Sequence, residues 1–154
     1  MRAPTAHSAP LDGGGRLWHR RAVLSALTGQ PRRVFLLDGC GALLTLAGVV
    51  LVLGSFDSTF GVPPTALRPL ALGAGALATY SFACWAAFPR LAARVRPFLV
   101  FLALANAGYC AAAWVALFTL RAQVTPLGFA WFGVETAVVA LVVGLELVTA
   151  RRAP

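Results

Sequence analysis

Six side chains in this chain could do chemistry in surroundings that are otherwise oily: Asp38, Tyr80, Asn106, Tyr109, Glu135 and Glu146. Carboxyl, amide and phenol groups set at matching depths in a membrane can lock helices together by hydrogen bonds or relay a proton. Bond-making chemistry needs more than this. A nucleophile with its base, a metal cluster or a cofactor loop would have to stand beside these groups. The hydrophobic runs hold no His, the sequence has no Lys and no C-x-x-C, and no G-x-G-x-x-G opens a helix. No catalytic residue, metal ligand or cofactor site is assigned, and a non-enzymatic role is expected.

Each carboxylate has a bland reading beside a sharper one. Asp38 lies four residues inside the span that starts at Val34 in "RRVFLLDGCGALLTLAGVVLVLGS", about 6 Å deep at ~1.5 Å per residue. A first-turn acid favoured by the helix dipole and paired with Arg32 or Arg33 is one reading. The other follows from its face. Asp38, Gly41, Thr45 and Gly48 fall within an arc of about 80° on a helical wheel. Small and polar residues on one stripe mark a side turned toward neighbouring helices, where Arg, Asn or Tyr could satisfy the acid. Glu146 sits near the end of the last run, close to Arg151 and Arg152, and reads as an interfacial salt bridge. Glu135 is harder to place at rest, since it lies about 12 Å inside that run and is too short to snorkel. It must be protonated, paired or facing water.

The other three donors stand on neighbouring runs. Asn106, Tyr109 and Cys110 share one side of the third run with Ala113, and Tyr80, Ser81 and Cys84 lie together on the second. Matched by depth, Tyr80, Asn106, Tyr109 and Glu135 meet near mid-membrane, while Asp38, Cys84 and Glu146 gather toward the inner side. The result is a polar seam, with plain helix-locking hydrogen bonds as the simpler alternative. Cys40, Cys84 and Cys110 are isolated thiols, read as small core fillers rather than a disulfide framework.

The elements that must carry these residues are four apolar runs, at about 34–54, 67–88, 98–118 and 127–149. Each reaches the ~20 residues that cross ~30 Å of hydrocarbon. The composition agrees, with 59% hydrophobic and 12% charged residues and a mean hydropathy of +0.79. Pro31, Pro69, Pro97 and Pro126 stand near the starts, where a missing N–H leaves no hydrogen bond unmade. Short connections force antiparallel neighbours. The predicted fold is all-α: a membrane-spanning up-down-up-down four-helix bundle over 34–150, preceded by a disordered Arg-rich tail over 1–33. That tail has room for a short interfacial turn at Leu17 and Trp18, and its His7 and His19 lack ligand spacing.

All 13 basic residues are Arg, against 5 acids. They collect in the tail, in "PRLAARVRP" and at the C-terminus, which by the positive-inside rule makes both termini and the 89–97 loop cytoplasmic. This distribution points to anionic lipid headgroups and away from nucleic acid. Trp85 belongs at the inner surface, and Phe56, Phe60 and Trp114 at the outer one.

The ordered set "LLDGCGALLTL" (36–46), "FGVP" (60–63), "YSFACW" (80–85), "LANAGYC" (104–110) and "TPLGFAWFGVE" (125–135), with Glu146 beyond it, resembles a group of small uncharacterised bacterial four-span membrane proteins. The resemblance covers about 34–149. It implies an inner-membrane four-helix protein in which Asp38, Asn106 and Glu135 belong to the pattern, and it implies no activity. Two roles follow for testing. One is a structural or accessory bundle that binds a lipid or another membrane protein. The other is a proton-coupled solute or ion transporter, which would require a homo-oligomer built through "ALGAGALAT" (71–79) and Ala103, Ala107 and Ala111.

Overall fold

The computed structural model describes residues 30–153; they are mostly helical, with no strand among them. Four long helices carry the chain: α1 (Pro31–Ala47), α2 (Pro64–Ala86), α3 (Val95–Thr119) and α4 (Pro126–Arg152). The expected tail, its turn at Leu17 and Trp18, His7 and His19 lie outside the described residues, apart from 30–33. Pro31 through Arg33 belong to α1 instead, because Pro31 takes the first helical position and needs no partner for its nitrogen. Pro64 does the same for α2, so that helix starts earlier than Leu67 and leaves Pro69 inside it. Thr125 caps α4, its hydroxyl accepting from the Gly128 N–H at 3.3 Å.

Three stretches are long and apolar enough to cross a membrane: Pro31–Leu53, Phe88–Thr119 and Pro126–Arg152. At 23 residues α2 has the length, but it spends much of it on Arg68, Pro69, Thr79, Tyr80, Ser81 and small residues. The molecule's surface has the character of a membrane protein's. Leu44, Leu72 and Leu141 are 74%, 76% and 76% exposed, while Asp38, Ser81, Asn106, Glu146 and Thr149 are buried. A water-soluble domain of this size would sort them the other way.

The helices associate as two hairpins. α1 packs chiefly on α2, and α3 on α4; contacts between the hairpins are sparser. Close approach explains the tight pairs. A Cβ on Gly39 would stand 3.1 Å from the Phe82 ring, and one on Gly75 3.9 Å from Leu46. Neighbours run antiparallel, so the starts of α1 and α3 and the ends of α2 and α4 share one end of the molecule. Arg32, Arg33, Arg90, Arg94, Arg96, Arg151 and Arg152 therefore collect there, with Arg32 stacked 5.1 Å over the Trp85 ring.

Two apolar clusters fill the interior at different levels. Val34, Phe35, Cys84, Val95, Leu99, Leu102 and Ala150 form the one at the arginine end. Val49, Leu53, Phe60, Leu67, Leu70, Leu117 and Phe132 form the other. Phe60 is thus a core residue, edge-on to Trp131 at 5.7 Å, while Phe56 is exposed.

At the far end the two connections are clasped together. The Thr125 N–H donates to the Phe60 carbonyl at 3.1 Å, and the Thr125 hydroxyl donates to the Thr59 carbonyl at 2.8 Å. Gly61 makes the approach possible. Its φ is +69°, and a Cβ there would collide with the Gln123 carbonyl oxygen. After Ala47 the first helix continues as a π-helical segment, Gly48–Leu53, which ends where the Gly54 N–H donates to the Val49 carbonyl at 3.1 Å. Val49 and Leu53, four residues apart in this segment, are both buried.

Candidate functional site

Between the two apolar clusters lies a polar layer to which every long helix contributes one residue. α1 supplies Asp38, α2 Ser81, α3 Asn106 and α4 Glu146, and all four are buried. The Ser81 hydroxyl donates to Asp38 Oδ2 at 2.5 Å. The Asn106 amide divides its two N–H bonds, one to Asp38 Oδ1 at 2.7 Å and one to Glu146 Oε1 at 3.1 Å. Asp38 thereby has a donor on each oxygen, while Glu146 Oε2 is buried with no hydrogen-bond partner among the described residues.

This geometry corrects two expectations. Asp38 is not held by Arg32 or Arg33: it turns inward on its small-residue stripe, and Arg32 takes the Trp85 face instead. Glu146 is not a rim residue. It is 0% exposed and faces Asn106, because the last helix runs on to Arg152 and leaves Glu146 nearly two turns inside. Asn106 consequently belongs to the Asp38 level and not to that of Glu135.

A second group sits farther from the arginine end. The Tyr109 hydroxyl donates to Glu135 Oε1 at 3.4 Å, Thr45 of α1 also interacts with this carboxyl, and Glu135 Oε2 is buried without a partner among the described residues. The Trp114 indole N–H donates to Thr136 at 2.9 Å beside it, so Trp114 is tied to α4. Tyr80 stands apart from both groups. Its hydroxyl donates to the Phe98 carbonyl at 3.4 Å, and its ring lies against Phe101 at 5.0 Å. The expected seam is thus two separate polar groups, with Tyr80 in neither. Of the thiols, Cys84 is buried, Cys110 partly so and Cys40 exposed, so Cys40 fills no core.

The two groups meet at a cavity of about 640 Å³ between α1 and α4, where the hairpins close least tightly. Asp38, Thr45, Asn106, Tyr109 and Glu135 supply its polar lining; most of the rest is hydrocarbon, including Leu44, Val134 and Val138. Those three are more than half exposed, so the cavity opens sideways between helices and not along the bundle axis. Its inner wall owes its shape to glycine. Gly41 lines it with nothing within 4 Å of where a Cβ would be, and a Cβ on Gly48 would lie 2.9 Å from the Trp131 ring that closes the far side. Of the stripe read from the sequence, Asp38, Gly41 and Thr45 line the α1 side of this cavity, and Gly48 packs against the Trp131 ring just beyond it.

Ser81, Trp131 and Thr149 are the residues that sequence reasoning underweighted. Ser81 had a signal: Ala74, Ala78 and Ser81 are buried at three- and four-residue spacing, which marks the packed face of α2. Trp131 had none, since one more aromatic in "FAWFG" does not announce its direction. Thr149 bonds the Leu145 carbonyl at 2.7 Å and serves its own helix. Among the described residues no cluster of His, Cys, Asp and Glu is arranged to hold a metal ion. No family model matches the chain, and neither curated proteins nor solved structures yield a match.

Proposed function

We propose that this chain is a four-span protein of the bacterial inner membrane, with both termini and the 89–97 loop cytoplasmic, whose role is to bind a membrane-dissolved molecule without altering it. α2 would be the fourth span, shielded from lipid on its polar side by α1 and α3. The arginine-rich end supports the orientation and gives the protein a seat on anionic headgroups. The observation that carries the reading is the lateral cavity: hydrocarbon walls, a few convergent polar groups, and a size within the ~300–1,000 Å³ of small-molecule sites. A site opening toward lipid takes its occupant from the bilayer.

The second reading is a proton-coupled carrier. Asn106 favours it, since one amide touches both an acid on the cavity lining and Glu146 behind it. Flux distinguishes the two. The binding role predicts no proton movement in liposomes, and proton flux abolished by Glu135→Gln would replace it with the carrier.

Binding itself is tested with a photoreactive long-chain alcohol in lipid nanodiscs. Saturable labelling is expected on the peptides around Gly41–Thr45 and Trp131–Val138, and Gly41→Leu, which fills the cavity, should remove it. Orientation is tested with a membrane-impermeant maleimide on single-cysteine variants in intact cells. Position 92 should be shielded and position 57 labelled, and the reverse pattern would overturn the topology.

A further inference from the structure

We infer that the α1–α4 cavity selects a lipophilic organic cation, an amine with a hydrocarbon tail, whose ammonium group is received by Glu135. This rests on the cavity being a binding site and adds the chemistry of its occupant. The first argument is sign. Among the described residues, the lining contains two carboxyl groups, Asp38 and Glu135, and no Arg or His. Charge of one sign in a hydrocarbon-walled space favours an occupant of the other.

The second argument is an unfilled bond. Glu135 Oε1 accepts from Tyr109 over a long 3.4 Å and Thr45 also interacts with the carboxyl, yet Oε2 is buried without a hydrogen-bond partner among the described residues. A carboxylate oxygen left so is under-satisfied, and an ammonium N–H is the donor that satisfies it with the strongest type of hydrogen bond. Asp38 contributes charge more than a bond, since Ser81 and Asn106 already occupy its oxygens. Thirdly, the rings of Phe60, Tyr109 and Trp131 line the same space, and aromatic faces attract ammonium groups. An anionic amphiphile would meet repulsion from both acids. A neutral one would leave Glu135 Oε2 as it is.

The test uses the full chain in nanodiscs and three photoreactive probes of one chain length, ending in amine, alcohol or carboxylate. We expect saturable amine labelling of the cavity peptides at a concentration at least about tenfold below that of the alcohol, the scale of one charge-assisted hydrogen bond. The carboxylate should not label. Glu135→Gln should remove the amine's advantage over the alcohol, and Gly41→Leu should exclude both. Equal labelling by amine and alcohol, in the wild-type protein and needing no variant, would overturn the cation assignment and leave the binding role standing. Labelling that is unsaturable for every probe, or indifferent to Gly41→Leu, would remove the binding role as well.

Discussion

Asn106→Leu is expected to destabilise the protein by roughly 2–4 kcal/mol, from two lost hydrogen bonds to carboxyl groups at ~1–2 kcal/mol each in a membrane setting. The substitution strips a donor from Asp38 and from Glu146 together. It leaves the fully buried Glu146 carboxyl with Asp38 as its neighbour in the layer. The measurement is the fraction folded across a mixed-micelle denaturant titration, followed by circular dichroism. Asp38→Asn is the informative companion. Its amide oxygen can still accept from Asn106 or Ser81, so a loss within about 1 kcal/mol is expected. If Asn106→Leu unfolds no sooner than Asp38→Asn, the amide is not the centre of the layer.

Gly61→Val is expected to cost about 2–5 kcal/mol. A left-handed backbone disfavours a substituted residue by ~1–2 kcal/mol, and β-branching makes that worse. The larger consequence is mechanical. With φ held at +69°, the new side chain meets the Gln123 carbonyl and the Thr125 N–H. The two loops must part, giving up the Thr125 bonds to Phe60 and Thr59, at ~0.5–1.5 kcal/mol each. Gly108→Ala serves as the control, because nothing lies within 4 Å of its Cβ position, and it should leave the midpoint where it was. The same titration reads both; a Gly61→Val midpoint equal to that of Gly108→Ala would show that the clasp contributes nothing.

Much of this was legible in the residues because membrane helices write their neighbours into small-residue spacing. The stripe Asp38–Gly41–Thr45–Gly48 pointed to an inward face, and its first three members line a cavity. Proline fixed helix starts to within a few residues, with Pro69 misread because Pro64 could serve the same purpose five residues sooner. Depth was less readable. Counting rise from a guessed boundary set Asn106 level with Glu135, whereas longer helices place it beside Asp38 and Glu146. Direction of a single large ring was not readable at all: Tyr80 faces Phe98 and Phe101, Phe60 turns into the core and Trp131 crosses to Gly48. An isolated aromatic carries no periodic signal, and its rotamer is settled by the packing of other helices. The cavity was equally invisible, being a property of how two hairpins fail to close.

The way the polar layer is divided between the hairpins bears on how the molecule is made. Ser81 and Asp38 belong to the first hairpin, and Asn106 and Glu146 to the second. In the proposed four-span topology each half would enter the bilayer with its own acid already chaperoned by a residue it carries, and the Asn106–Asp38 bond would be left for the encounter. Insertion would then proceed half by half as the ribosome delivers them, with no bare carboxylate waiting in lipid for a partner not yet synthesised. A gene split between Phe88 and Val95 should accordingly yield two fragments that find each other in the membrane.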